Sequence, residues 1–165
     1  MNVGENMSMN KEKHTIVSPC DGEVVRLEDV CDEVFSQGIL GKGFAVIPSN
    51  NDFFSPIDGK ISNAYETGHA YTIEGKDGLE LLVHIGVDTV ELAGEYFSPV
   101  VKANMSVSQG DKLAYADTDN ILARGFDPIT VVIITNTEKL GSFKITYGKV
   151  KAKDSVMEYS LKEAK

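Results

Sequence analysis

Two histidines lie fifteen residues apart, at the outer ends of a segment with the pattern of a β-hairpin. His69 precedes one β-rich run, 70–74, and His84 follows a second, 79–83, with a glycine-bounded turn at 75–78. A hairpin that closes symmetrically about this turn places His69 opposite His84, with Cβ atoms ~5 Å apart. We predict that register. A three-residue loop with a bulge at the second glycine would shift the pairing by one residue.

Two imidazole rings side by side have few uses in a protein. They can bind a metal ion or transfer a proton. Alternatively, one ring acts as a nucleophile and the other stabilises the group that the first ring carries. The alternative for His84, which lies in an apolar strand, is a histidine that only packs in the core. The second histidine favours a chemical role over that alternative.

Short β-rich runs separated by Gly, Pro, Asn and Asp make up most of the chain. This pattern predicts an all-β fold, a compact antiparallel β-sandwich or barrel. Helix is expected only as one or two short turns, at 32–37 and at 117–125, where Asp117 or Thr118 would cap the start. The predicted strands lie at 16–17, 23–27, 43–47, 59–63, 70–73, 79–85, 99–101, 112–116, 129–135 and 143–150.

A short motif occurs twice near the start of the chain. SPCDGEV at 18–24 recurs as SPIDGKI at 55–61, and each copy is a Pro-led Asp-Gly turn that feeds a strand. Two copies do not make a solenoid. We therefore predict pseudo-symmetry within one closed system of sheets.

Composition limits the class of protein. The 165 residues predict a single domain at 15–165 after a disordered tail at 1–14. With 16 Lys and Arg against 25 Asp and Glu, the net charge of −9 argues against nucleic acid or an anionic membrane as a partner. No run approaches the ~20 apolar residues of a membrane span, so we expect a cytoplasmic protein. Cys20 and Cys31 lack CxxC or Cys/His spacing and are expected to be reduced thiols.

The segments around the two histidines resemble the active-site signature of a known family. TGHA at 67–70 and HIGVDTVEL at 84–92 are similar to those of the glucose-type enzyme IIA of the bacterial phosphoenolpyruvate-dependent sugar phosphotransferase system. The resemblance covers about Thr15 to Val150. Further segments that match in order and spacing are Ser18-Pro19, Asp21-Gly22, 32–35, 41–43, 55–59, 109–111 and 131–136.

The resemblance implies an activity as well as an antiparallel β fold. In the family, a phosphoryl group passes from the phosphohistidine of the phosphocarrier protein HPr to the second histidine of the motif, and then to the B domain of a membrane sugar permease. By position, the acceptor in this chain is His84. His69 would donate a hydrogen bond to the phosphoryl oxygens, and the Thr67 hydroxyl would orient His69 or add a donor.

Elementary chemistry suits this role for His84. Neutral imidazole is a good phosphoryl acceptor because its ordinary pKa of ~6.5 leaves a nitrogen lone pair free near pH 7. The site must then supply in-line positioning and compensate the charge of the phosphoryl oxygens. We predict that His84 attacks through Nε2 while the Gly86 carbonyl holds Nδ1–H. No cofactor is required.

The resemblance also implies where partners bind. Asp32 and Asp88 are placed beside the site, where carboxylates meet an arginine of the incoming HPr. A transient partner needs an apolar docking face with a polar rim. The apolar residues that match family positions around the histidines are Val34, Phe35, Tyr65, Leu82 and Ile85.

Three other functions could use a pair of histidines or a small β shell. A zinc hydrolase needs a third ligand and a general base, and the sequence offers only His14 and carboxylates without HExxH spacing. Zinc that bridges His69, His84 and a partner's carboxylate is compatible with the resemblance. A biotin or lipoyl carrier needs a lysine on a hairpin tip, which 104–106 lacks. The main alternative is a regulatory protein whose partners change when His84 is phosphorylated.

Overall fold

Short strands with buried side chains on one face, separated by glycine-rich turns, build the protein. The computed structural model describes residues 13–162. Within them every strand pairing is antiparallel, which confirms the predicted all-β sandwich or barrel class. The strands are β1 (His14–Val17), β2 (Gly22–Arg26), β3 (Lys42–Pro48), β4 (Asp52–Phe54), β5 (Gly59–Ala64), β6 (Ala70–Gly75), β7 (Glu80–Ile85), β8 (Phe97–Pro99), β9 (Ser106–Val107), β10 (Lys112–Ala116), β11 (Thr130–Ile134), β12 (Leu140–Ile145), β13 (Gly148–Val150) and β14 (Ser155–Leu161).

Within residues 13–162, helix is limited to short turns, as the sequence predicts. The one-turn helix α1 (Glu33–Ser36) begins after Asp32, and α2 (Thr118–Ala123) is capped by the Asp117 carboxylate, which accepts from the Asn120 amide. Turns of 3₁₀ helix occupy Leu27–Asp29, Thr89–Leu92 and Thr137–Lys139. Between residues 13 and 162, no helix has the length and apolarity needed to cross a bilayer.

In the described part of the chain, the strands form three sheets. The largest has eight strands in the order β13-β2-β3-β11-β7-β6-β5-β9, and the two smaller sheets have the orders β1-β14-β12 and β4-β10-β8. The hairpin β6–β7 lies within the large sheet, so the candidate site is built on paired strands and not on a free loop. Main-chain hydrogen bonds on both sides of β7 hold it in place.

The predicted register of this hairpin is wrong by one residue. His84 lies opposite Ala70, and Leu82 lies opposite Thr72. The cause is the turn, in which the Gly75 amide donates to the Leu79 carbonyl at 2.7 Å and Gly78 has a φ of +95°. This is the three-residue loop with a bulge glycine, and the extra residue shifts every pair.

The repeated motif folds in the same way twice. The buried hydroxyls of Ser18 and Ser55 each donate to the carbonyl two residues later, at 2.7 Å in both copies. The copies also bond to each other: the Phe54 amide donates to the Pro19 carbonyl, and the Val17 amide donates to the Pro56 carbonyl. These reciprocal bonds support the predicted pseudo-symmetry.

The two ends of the chain differ in part from the predictions. His14 starts β1, where it lies opposite Tyr159, and its ring stacks on the tyrosine ring with centroids 5.3 Å apart. It therefore does not belong to a disordered tail. The rest of the predicted tail, apart from Lys13, lies outside the described residues. Near the other end, β14 was not predicted, although its Val156, Met157 and Tyr159 are buried.

Two apolar clusters fill the fold. The larger lies between the sheets and includes Phe44, Phe53, Tyr71 and Leu113, all fully buried. The smaller lies on the opposite face of the large sheet, where Ala45 and Val131 occupy one row of paired residues with His84. The members of the smaller cluster are Leu27, Val30, Phe35, Ala45, Ile129, Val131 and Ile133. His84 therefore projects from the same sheet face as this cluster.

Candidate functional site

The two histidine rings meet although their strands pair in an unexpected register. His69 lies one residue before β6, and its carbonyl accepts from the Ile85 amide at 2.7 Å. The ring centroids of His69 and His84 are 4.9 Å apart, with an interplanar angle of 80°. His69 is outside the regular strand and follows Gly68, whose φ is +75°. The bend at Gly68 brings the His69 ring beside His84.

His84 is anchored through one ring nitrogen. Its Nδ1 lies 2.7 Å from the Gly86 carbonyl oxygen, which can only accept, so Nδ1 carries the proton. The predicted contact is confirmed. Its consequence is that Nε2 carries the lone pair. The ring is partly buried and tilted against Phe35, with centroids 5.2 Å apart.

His69 is held more deeply than His84. Only 2% of its surface is exposed, and its Nδ1 lies 2.5 Å from the Thr67 hydroxyl oxygen. This confirms the predicted contact between Thr67 and His69. The rings of Tyr65 and Phe97 lie edge-on to His69, at 5.4 and 6.3 Å between centroids. The imidazole therefore has little freedom to rotate.

Burial keeps both imidazoles neutral at neutral pH. Desolvation, with the neighbouring His84 as a second cause, lowers the pKa of His69 to about 4. Desolvation also lowers the pKa of His84, although three groups act in the opposite direction. These are the hydrogen bond to Gly86 and the charges of Asp32 and Asp88. Both rings thus have an unprotonated nitrogen near pH 7.

Asp32 and Asp88, the two carboxylates predicted beside the site, lie in different parts of the fold near His84. Asp32 caps α1, where its carboxylate accepts from the Val34 amide at 2.9 Å. Asp88 is exposed and has a φ of +58°, a left-handed conformation that aspartate tolerates better than most residues. Both charges act on His84, which agrees with the prediction that they stand beside the site.

The predicted docking residues differ in accessibility. Val34 and Tyr65 are 45% and 43% exposed, and Leu82 is partly buried. Phe35 is buried, but its ring contacts His84. Ile85 is the exception: it is fully buried in the larger cluster, because the side chain after His84 points to the opposite sheet face. The prediction that Ile85 contacts a partner is therefore wrong.

Several supporting residues could not be found from the sequence. Phe97, against His69, is distant in the chain and belongs to β8. The turn at 127–129 accepts hydrogen bonds from the amides of Gly86 and Val87. Thr89 is the one supporting residue that the sequence could have indicated, because it lies in the family-like segment 84–92. Its buried hydroxyl donates to the Ile85 carbonyl at 2.5 Å.

Metal-ligating side chains are the other feature of interest near the histidines. Between residues 13 and 162, no set of three or more His, Cys, Asp and Glu side chains is arranged to hold a metal ion. Cys20 and Cys31 are free thiols, as predicted, and burial raises the pKa of Cys20. The pair of histidines can provide two ligands, whereas a structural zinc ion takes four.

The fold and the site together define an all-β protein in which two imidazole rings face each other, one of them held through Nδ1 so that its Nε2 is free. The family model for "phosphoenolpyruvate-dependent sugar phosphotransferase system, EIIA 1" matches residues 14–140. The chain belongs to this family, and the resemblance found in the sequence is confirmed. It is thus an EIIA component, a phosphotransferase component that carries a phosphoryl group on histidine.

Individual relatives agree with this assignment. The glucose-specific EIIA component of Haemophilus influenzae is 39% identical over 93% of this chain and 90% of its own length. The glucose permease IIA structure from Mycoplasma capricolum has a TM-score of 0.84 and 38% identity, over 89% of this chain and 96% of that one. The beta-glucoside-specific EIIBCA component of Bacillus subtilis is 40% identical over 90% of this chain, which spans 24% of that longer protein.

Proposed function

We propose that His84 accepts a phosphoryl group from phospho-HPr and passes it to the B domain of a sugar permease. One observation carries this assignment: the Gly86 carbonyl holds Nδ1–H of His84 at 2.7 Å, which leaves Nε2 as the nucleophile beside the His69 ring. The names of relatives that join A, B and C components in one chain support a B domain as the next acceptor.

The transfer itself needs no base. The Nε2 lone pair of His84 attacks phosphorus, the P–N bond of the donor phosphohistidine breaks, and its electron pair returns to the donor ring. His84 then carries phosphorus on Nε2 and a proton on Nδ1, so its ring becomes positively charged. The Gly86 carbonyl and the charges of Asp32 and Asp88 stabilise that ring.

His69 has a different task, which is to donate a hydrogen bond to the phosphoryl group as a neutral imidazole, since burial lowers its pKa. If the Thr67 hydroxyl donates to Nδ1 of His69, the ring proton is on Nε2, and a neutral N–H donor can then face the phosphoryl oxygens. A neutral N–H donor stabilises the phosphoryl oxygens. It forms no ion pair with them that would slow onward transfer to the B domain. The role of Thr67 is therefore to set the His69 tautomer.

The proposed reaction also indicates where in the cell the protein acts. Phosphoenolpyruvate is a cytoplasmic metabolite, so the protein would act in the cytoplasm.

Zinc would bind at the paired histidines only with ligands from a partner, since His69 and His84 provide two of the four that a structural zinc ion takes. Titration of zinc into the protein alone should show weak binding compared with the partner complex.

The first experiment is a phosphorylation assay with phosphoenolpyruvate, enzyme I and HPr. We expect the intact mass of the wild type and of His69→Ala to rise by one acid-labile phosphoryl group, and that of His84→Ala to stay unchanged. His14→Ala is the matched control, since it removes a histidine that stacks on Tyr159 outside the pair.

Onward transfer is measured by mixing each phosphorylated variant with a purified B domain. His69→Ala should be slowed most at this step. If His84→Ala is labelled as the wild type is, the assigned acceptor is wrong. If the wild type is labelled but transfers to no B domain, the regulatory alternative is favoured.

A further inference from the structure

A turn outside the histidine motif holds the backbone that orients His84. The Val87 amide donates to the Asp127 carbonyl at 2.9 Å, and the Gly86 amide donates to the Ile129 carbonyl at 3.0 Å. The contact is close, because a Cβ atom on Gly86 would lie 3.1 Å from the Asp127 carbonyl oxygen. Two carbonyls of one turn thus bind two consecutive amides.

One of these bonds acts directly on the group that holds His84. The Gly86 carbonyl and the Val87 amide belong to the same planar peptide unit. When the Val87 N–H donates to Asp127, the plane of that unit is fixed, and with it the direction of the Gly86 carbonyl toward Nδ1 of His84. Hydrogen bonds in a chain also polarise one another, so the Gly86 oxygen becomes a stronger acceptor.

The Asp127 side chain closes the turn on itself. Its Oδ1 accepts from the Ile129 amide at 2.9 Å, which is the Asx turn that aspartate forms with the residue two positions on. Pro128, between them, has a fixed φ. Asp127 is an exposed residue, so core packing does not explain its position.

We propose that Asp127 is a positioning residue for phosphoryl transfer: its carboxylate closes the turn whose carbonyls fix the peptide unit that orients His84. The inference rests on the proposed function of His84 for its effect on rate. Its effect on the orientation of His84 does not depend on that function.

The test compares Asp127→Ala with Asp127→Asn. Asparagine keeps an acceptor at Oδ1, so it should preserve the turn, whereas alanine removes the acceptor. Asp154→Ala is the matched control, because Asp154 accepts from the Lys151 amide at 3.0 Å in an exposed turn between β13 and β14. Thermal unfolding checks that each variant is folded.

Two readouts are needed. In ¹⁵N spectra of the imidazoles, Asp127→Ala should shift His84 from the Nδ1–H form toward a mixture of tautomers, while Asp127→Asn and Asp154→Ala match the wild type. Phosphorylation by phospho-HPr should be about fivefold slower in Asp127→Ala, the equivalent of one hydrogen bond. Rescue by asparagine is expected in both measurements.

The outcomes separate the inference from the proposed function. Unchanged His84 signals in Asp127→Ala overturn the inference, even if the variant is slower, since a merely structural role would give that result. The inference is also overturned if Asp127→Asn and Asp127→Ala lose the Nδ1–H tautomer of His84 and the rate of phosphorylation to the same extent. If the wild type takes no phosphoryl group, the proposed function fails, and the tautomer measurement still decides whether Asp127 orients His84.

Discussion

Gly86 and Thr89 approach each other so closely that a Cβ atom on Gly86 would lie 2.3 Å from Cγ2 of Thr89. In the same turn the buried Thr89 hydroxyl donates to the Ile85 carbonyl, which fixes the Thr89 side chain next to Gly86. Gly86 also has a φ of +87°, a conformation that side chains disfavour. The carbonyl that anchors His84 therefore belongs to a residue that can only be glycine.

Replacing Gly86 with alanine should disturb both stability and phosphorylation. The clash and the positive φ each act, so we expect a loss of about 2 to 4 kcal/mol in the free energy of unfolding, measured in urea. Gly125→Ala is the control, because Gly125 has a φ of +92° and open space around its Cβ position. It should lose about 1 kcal/mol and keep its rate of phosphorylation. Equal effects of the two variants would contradict this account.

The Thr67 hydroxyl can be tested by replacing it with an isosteric methyl group. Thr67→Val should slow transfer from the phosphorylated protein to a B domain by about fivefold, because His69 loses the hydrogen bond at Nδ1. Thr67→Ser keeps the hydroxyl and should stay close to the wild type. Rapid-quench measurement of the phosphoprotein gives both rates. A serine variant as slow as the valine variant would show that the methyl group matters instead.

Burial of His69 predicts a dependence of stability on pH. Its pKa is lowered from 6.5 to about 4 in the folded protein, so the unfolded chain binds the proton first as the pH falls. Stability is therefore lost between pH 6.5 and 4, by at most about 3 kcal/mol from this group. Urea unfolding across this range should show a steeper loss for the wild type than for His69→Gln. Parallel curves for the two proteins would be inconsistent with a buried neutral His69.

The exposed part of the predicted docking face can be separated from the chemistry. Val34→Ser should raise the KM for phospho-HPr by about fivefold to tenfold with little change in kcat, because an exposed apolar contact contributes to binding alone. Phe143→Ser is the control, since Phe143 is 40% exposed on β12, in a different sheet. Steady-state transfer at varied phospho-HPr concentration measures both constants. A change in kcat alone would place Val34 in the chemistry and not in docking.

Local sequence accounts for much of the hairpin and little of its exact pairing. The β-rich runs at 70–74 and 79–83 and the glycines of the turn predict two paired strands, and both strands are present. The register depends on the loop. The Gly75 amide donates to the Leu79 carbonyl, so the loop has three residues, 76–78, and not the even number of the symmetrical turn. Neither the symmetrical nor the bulged loop can be chosen from residue types, because both use glycine at the same position.

The sequence by itself determined the fold class, the two histidines with Thr67, and the carbonyl of Gly86, since these depend on local pattern and on a motif of neighbouring residues. Only the tertiary structure decided that Phe97 packs against His69 and that the turn at 127–129 supports Gly86. These contacts join residues distant in the chain. Their geometry follows from how strands pair and sheets pack, and no local run of residues encodes it.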